Sequence, residues 1–200
     1  MLRLSLGALA LFLAGLSCAP RVLVPPRVQL EQYGTVGIAT FSSNTEGDLA
    51  RLSTQSFIEA IQTSQVGVPV LELGDSPIDI DPTWLKKMKN ERGVDAIIVG
   101  NIDVSDVKPS LNISALLTSM SVKAEVEATL QVKLYSTEDG ATIWTRSGSA
   151  AKKVGHVTVA KGRSPSFSAS DPEGAYGELI NSLVFFVTDD LRSHYVRQHK

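Results

Sequence analysis

From Val122 to Leu134 every second position is apolar or small (Val122, Ala124, Val126, Ala128, Leu130, Val132, Leu134), and Lys123, Glu125, Glu127, Thr129, Gln131 and Lys133 fill the gaps. A period of two is the period of a pleated strand, so this stretch predicts one long strand with one face buried and the other wet. Thr137-Glu138-Asp139-Gly140 supplies turn chemistry, and Ala141 to Ser149, with Ile143 and Trp144, returns as the partner strand of a hairpin. A half-wet sheet needs a cover for its dry face. Asp171-Pro172 opens a final helix that can serve, with Tyr176, Leu179, Ile180, Leu183, Phe186, Val187 and Leu191 on one side. Val184 and Phe185 widen that stripe, which leaves two readings open: a wide core-facing helix, or a helix with a contact surface.

The first half of the chain has a different rhythm. Residues 34–41 (Gly34-Thr35-Val36-Gly37-Ile38-Ala39-Thr40-Phe41) read as a buried strand, and Thr45 and Asp48 stand at the spacing of a capping box. Leu49, Leu52, Ser53, Ser56, Phe57, Ala60 and Ile61 then mark a helical face, and Val68 to Leu73 a second strand. Asp81 and Pro82 start a second helix carrying Trp84, Leu85 and Met88, and Gly93 stops it. Asp95 to Ile102 is a third strand, apolar enough to be central. This βαβαβ order predicts right-handed crossovers and a partly parallel sheet, so the fold class is α/β with a mixed sheet.

The composition is that of one soluble domain with some extra chain: 200 residues, 43% hydrophobic and 20% charged. Lys and Arg number 19 against 21 acids, a net charge of -2, which lacks the basic excess of a nucleic-acid binder. A single cysteine excludes an intrachain disulfide and a cysteine-cluster metal site. That cysteine, Cys18, ends a leader: one cation at Arg3, an apolar run from Leu4 to Leu16, then Ser17-Cys18-Ala19-Pro20. The run is too short for a membrane span and has the three-part layout of a secretory signal peptide, so residues 1–17 are expected to be removed. Pro20, Pro25 and Pro26 make residues 18–33 an expected semi-rigid tether, and residues 34–197 an expected single domain.

Leu13-Ala14-Gly15-Leu16-Ser17-Cys18 resembles the lipobox of bacterial lipoproteins, with Gly15 where leucine is usual. The resemblance implies that Cys18 becomes the amino terminus and carries diacylglycerol, an anchor whose several acyl chains hold a protein stably at a bilayer. A conventional cut after Ala19 competes, but it would leave Pro20 beside the scissile bond. Ala19 rather than Asp after the cysteine implies sorting to the outer membrane, facing the periplasm.

Leader and tether, Gly93-Val94-Asp95-Ala96-Ile97-Ile98-Val99-Gly100, and the hairpin Leu134-Tyr135-Ser136-Thr137-Glu138-Asp139-Gly140-Ala141-Thr142-Ile143-Trp144 occur in that order. Together they resemble the bacterial envelope lipoproteins related to the CsgG-type curli secretion protein and the LpoB-type activators of peptidoglycan synthases. The resemblance covers most of residues 18–197. It implies a three-layer α/β domain that binds other envelope proteins as an assembly or regulatory partner, forms homo-oligomers in some members, and needs no cofactor. The alternative is a subunit of an oligomeric secretion channel, which would require paired spanning strands of ~9–11 residues. Residues 111–120 offer at most one such strand, and 150–170 read as a polar loop with Lys152, Lys153, His156, Lys161 and Arg163.

No catalytic constellation emerges. Ser149-Ala150-Ala151-Lys152 matches S-x-x-K, but the S-D-N and K-T-G companions are absent, and on a strand residues three apart face opposite sides. Neither G-x-S-x-G, G-x-G-x-x-G nor a Walker sequence occurs. Asp79 and Asp81 lack the further oxygens of a calcium loop, and His156, His194 and His199 are not at metal-ligand spacing. Asn112-Ile113-Ser114 is a glycosylation sequon only on a eukaryotic secretory route. Lys86, Lys87, Lys89, Glu91 and Arg92 read as the wet face of the second helix, or as a docking patch.

Overall fold

The computed structural model describes residues 21–45, 48–105, 108–113, 119–160, 166–169 and 172–197, leaving aside the side chains of 108–113, 119–125, 153–160, 166–169 and 172–175. Strands β1 (Arg21–Val24), β2 (Val36–Thr40), β3 (Ser42–Ser43), β4 (Val70–Asp75) and β5 (Ala96–Val104) belong to the first half. In the second half lie β6 (Lys108–Ile113), β7 (Ser119–Ser136), β8 (Thr142–Ala160), β9 (Ser166–Ala169) and β10 (His194–Arg197). Helix α1 (Leu49–Ser64) joins β3 to β4, α2 (Pro82–Arg92) joins β4 to β5, and α3 (Pro172–Val187) follows β9. Eight strands form one sheet in the order β4-β2-β5-β7-β8-β9, with β3 on β5 and β6 on β7. Strands β4, β2 and β5 run parallel, and β5, β7, β8 and β9 alternate antiparallel, so the sheet is mixed as expected.

The pairing of successive residues onto opposite faces makes two cores. On one face Val36, Ile38, Ala96, Ile98 and Ile102 join Val126, Ala128, Leu130, Val132 and Leu134 of β7. Phe57, Ile58 and Ile61 of α1 and Leu179, Ile180, Leu183, Val184 and Val187 of α3 cover them. On the other, Ile97 and Val94 pack with Leu85 of α2, bordered by Leu71, Trp84, Met88 and Tyr135. Two helices, a sheet and one helix are the three layers. The dry face of β7 coincides with the alternation in the sequence, from Val126 to Leu134. Gly100 is needed where β5 meets Phe41: a Cβ there would lie 2.6 Å from the Phe41 ring.

The caps of α2 are those its sequence specifies. Asp81 accepts the Trp84 amide at 2.6 Å, Pro82 takes the first turn, and Gly93 ends the helix with φ 66. Helix α1 departs from expectation. Asp48 makes no capping bond and holds Arg51 instead at 3.2 Å, an interaction whose hydrogen bond and charge keep the carboxyl below its ordinary range. Thr45 turns to Ser43, while Asn44 both donates to and accepts from the Val104 backbone at 2.9 Å. The helical face is rotated too: Thr54 and Ile58 are buried and Leu52 is 40% exposed. Thr54 on that face accepts from the Phe41 amide at 2.8 Å, and Ile58 joins the main core.

Three further expectations are corrected. The expected tether, residues 18–33, contains ordered structure within its described part: Arg21–Val24 pairs with His194–Arg197, and Leu30 is fully buried in the main core. The side-chain amide of Gln65 holds this segment, accepting from the Leu30 amide at 2.7 Å and donating to the Val28 and Leu191 carbonyls at 2.7 and 3.0 Å. The expected polar loop 150–170 is strand as far as Ala160, and strand again at β9. In α3, Phe186 is 60% exposed beside Phe185 at 63%, because Leu179, Ile180, Leu183, Val184 and Val187 already form the buried stripe, and Leu191 is buried from a turn beyond the helix. Asp171, the expected cap of α3, lies outside the described residues.

Two outcomes follow for the start of the packed unit. Leu30→Ala lowers the unfolding free energy by about 2–5 kcal/mol in urea titration, where the same change in a spacer would be neutral. Gln65→Glu, nearly isosteric, replaces a double donor by an acceptor against two carbonyls, and costs about 1–3 kcal/mol in the same measurement.

Candidate functional site

Cys18 lies outside the described residues, as do Lys161, Arg163 and His199. The remaining candidates separate into three places. The first is the sheet face that α2 leaves uncovered. There β2 and β4 end, and the chain departs from them to opposite sides, through α1 to one layer and α2 to the other, which is where open α/β sheets form crevices. A cavity of about 410 Å³ lies there, lined among others by Ser42, Asp79, Asn101, Gln131, Lys133 and Tyr135. Ser42 donates to the Asn101 side chain at 2.8 Å, and Asn101 donates to Asp103 at 2.7 Å, so these polar groups are engaged with one another. Lys133 is half-buried and makes no ion pair among the described residues. The lining can hydrogen-bond a small polar molecule.

The second place is the S-x-x-K sequence, and the structure separates its two ends. Ser149 pairs with Thr129 on the α2 side of the sheet, their hydroxyls 2.8 Å apart, while Lys152 pairs with Val126 on the other side and meets Glu178 of α3. Serine and lysine therefore do not meet. Among the described residues no group of three His, Cys, Asp or Glu could hold a metal. Asp81 is spent on its cap, Asp79 is exposed at the cavity rim, and His194 is exposed on β10. On α2, Lys86, Lys87, Glu91 and Arg92 are exposed, whereas Lys89 lies 4.0 Å from Glu138 of the hairpin turn.

The third place is the far end of the long hairpin, where residues 111–113 belong to β6 and 119–120 to β7. Beyond Val126, β7 is flanked by β6 on one side and by β8 and β9 on the other, giving four antiparallel strands. The register sets Leu111, Val122, Val157 and Phe167 in one row and Ile113, Met120 and Val159 in the next alternate row. Between them runs the row Asn112, Ser121, Thr158 and Ser166, and Ser110, Lys123, His156 and Ser168 share its face. Val154 is an extra residue in β8, between the pairs Ala124–Gly155 and Glu125–Lys153. That bulge switches the parity of β8, so Val157 and Val159 occupy the same face as Lys152 and Ala150 despite their odd numbers. The signal available in the sequence was the short alternation Val157-Thr158-Val159 and Ser166-Phe167-Ser168.

No family model and no curated protein matches the chain. Solved structures do resemble it. The PelC dodecamer from Paraburkholderia phytofirmans is 10% identical, with a TM-score of 0.45 over 86% of this chain and 96% of that one. Lipoprotein GNA1162 from Neisseria meningitidis is 13% identical, with a TM-score of 0.41 over 74% and 94%. The LpoB C-terminal domain from Salmonella enterica is 12% identical, with a TM-score of 0.37 over 63% and 95%.

The separated serine and lysine give a direct check. Ser149→Ala and Lys152→Ala each shift the unfolding free energy by less than about 1 kcal/mol, the scale of exposed pairs, and neither variant nor wild type retains radiolabelled benzylpenicillin after denaturation.

Proposed function

We propose that this chain is an outer-membrane-anchored lipoprotein facing the periplasm, which acts without catalysis as an assembly or regulatory partner of an envelope complex. One observation carries the reading: a single cysteine, Cys18, placed between Ser17 and Ala19 at the end of an apolar leader. The separation of Ser149 from Lys152 across the sheet supports its non-enzymatic part, because it takes that nucleophile-and-base sequence apart. Feeding cells radioactive palmitate tests the anchor. Wild type takes up the label and sediments with outer membranes, whereas Cys18→Ala loses the label and leaves the membrane fraction; equal labelling of the two refutes the anchor.

A second reading, the subunit of an oligomeric secretion channel, is favoured by the four-stranded end of the sheet. Alternation of apolar and polar rows is the pattern of a transmembrane barrel wall. Its outer strands are short for the task, with six residues in β6 and four in β9 against the ~9–11 that cross a bilayer. Planar-bilayer recording separates the readings. An anchored partner leaves the bilayer insulating, and stepwise conductance with ring-shaped particles establishes the channel.

A further inference from the structure

Strands β1 and β10 form a two-stranded sheet of their own, separate from the main sheet. The register is Arg21 opposite Arg197, Val22 opposite Val196, Leu23 opposite Tyr195, and Val24 opposite His194. One face therefore carries Arg21, Arg197, Leu23 and Tyr195. This is an unfavourable arrangement in water. A lone two-stranded ribbon is marginal at best, and like charges directly opposite each other destabilise it further. Neither arginine has an ion-pair partner among the described residues. Leu23 is 53% exposed and Tyr195 68% exposed. The ribbon contains no acid.

We propose that this ribbon is a second membrane contact, lying against the anionic phospholipid surface with Leu23 and Tyr195 at headgroup level and the Arg21–Arg197 pair on lipid phosphates. The inference rests on the reading of Cys18 as the anchor. Chain length then fixes the occupant: Arg21 is three residues after Cys18, and three residues span at most ~11 Å, so an acylated Cys18 holds the arginine end of the ribbon within reach of the headgroups. The chemistry matches on every count. Phosphates neutralise the arginine pair that the protein leaves unbalanced, tyrosine and leucine suit the interface, and an anionic surface attracts each cation held near it. Because β10 brings the chain's other end into the same ribbon, the contact fixes the orientation of the domain on the bilayer, which a flexible lipid tether would not.

Photo-crosslinking in intact envelopes tests this with the whole chain and its own leader. A diazirine amino acid is placed at position 23 or 195, with position 78 as control, since Ile78 is fully exposed in the loop after β4. Cells are labelled with radioactive phosphate to mark phospholipids and, in parallel, with palmitate. The expected result is phospholipid adducts at 23 and 195 at several-fold the yield at 78. Arg21→Glu lowers that yield several-fold while creating an ion pair with Arg197 that keeps the ribbon folded. Palmitate on Cys18 without lipid adducts at 23 and 195, or with adducts to protein or a second copy there, overturns the ribbon contact and leaves the anchor standing. Adducts without palmitate overturn the anchor and leave the contact standing, and loss of both overturns both.

Discussion

The architecture depends on one antiparallel register, held from Tyr135–Thr142 at the turn to Ser119–Ala160 at the far end. At the turn end its dry face is closed by α1 and α3 into the main core. At the far end the same rows continue with β6 and β9 as neighbours. A slip of one residue would turn Leu130, Val132 and Leu134 to water and bring Gln131 and Lys133 into the core, so burial at the closed end fixes the pairing along the whole ribbon. Two bulges adjust it, at Leu134/Tyr135 and at Ala124/Glu125. The second sets Val157 and Val159 in register on the face that Ala150 and Lys152 share.

A second constraint ties the ends of the chain together. Gln65 accepts from Leu30 and donates to Val28 and Leu191, so the end of α1 holds both terminal segments. Asp190 reinforces the junction. Its carboxylate, 12% exposed, takes the Trp144 indole at 3.3 Å, Arg146 at 3.2 Å and Arg27 at 3.5 Å, while its backbone carbonyl accepts from Val28 at 3.1 Å. A carboxylate so far from water requires such donors, since an unpaired charge there would be costly. The consequence is positional: the β1–β10 ribbon leaves the domain from a point fixed by half-buried hydrogen bonds.

What the sequence made legible were features whose cause is local. The caps of α2 need only Asp81, Pro82 and Gly93, and the dry face of β7 needs only its own alternation. Features with distant causes stayed hidden. Leu30 looks like part of a proline-rich spacer because the amide that secures it lies 35 positions away. Helix α1 buries Thr54, whose hydroxyl accepts from the Phe41 amide, a contact that no helical period can register. Residues 150–160 look like a polar loop because the extra residue at Val154 breaks the alternation that would have marked a strand. The cavity beside Lys133 could not be seen at all: Ser42, Asn101, Gln131 and Tyr135 come from three strands that meet only through register.

Net charge shows how an average can hide a local field. A balance of -2 describes the whole chain, yet it says nothing about where the charges sit. Near the chain ends the acids are consumed internally: Asp190 by Arg27 and Arg146, and Asp189 by Arg192 at 3.8 Å. Arg192 is engaged further, its guanidinium stacked 3.8 Å from the Phe185 ring and bonded to that residue's carbonyl. Subtracting these pairs leaves Arg21 and Arg197 facing each other with no acid between them. A near-neutral protein thus presents a concentrated positive tip at the end of the chain that leads to Cys18, so its electrostatics act through placement rather than through total charge.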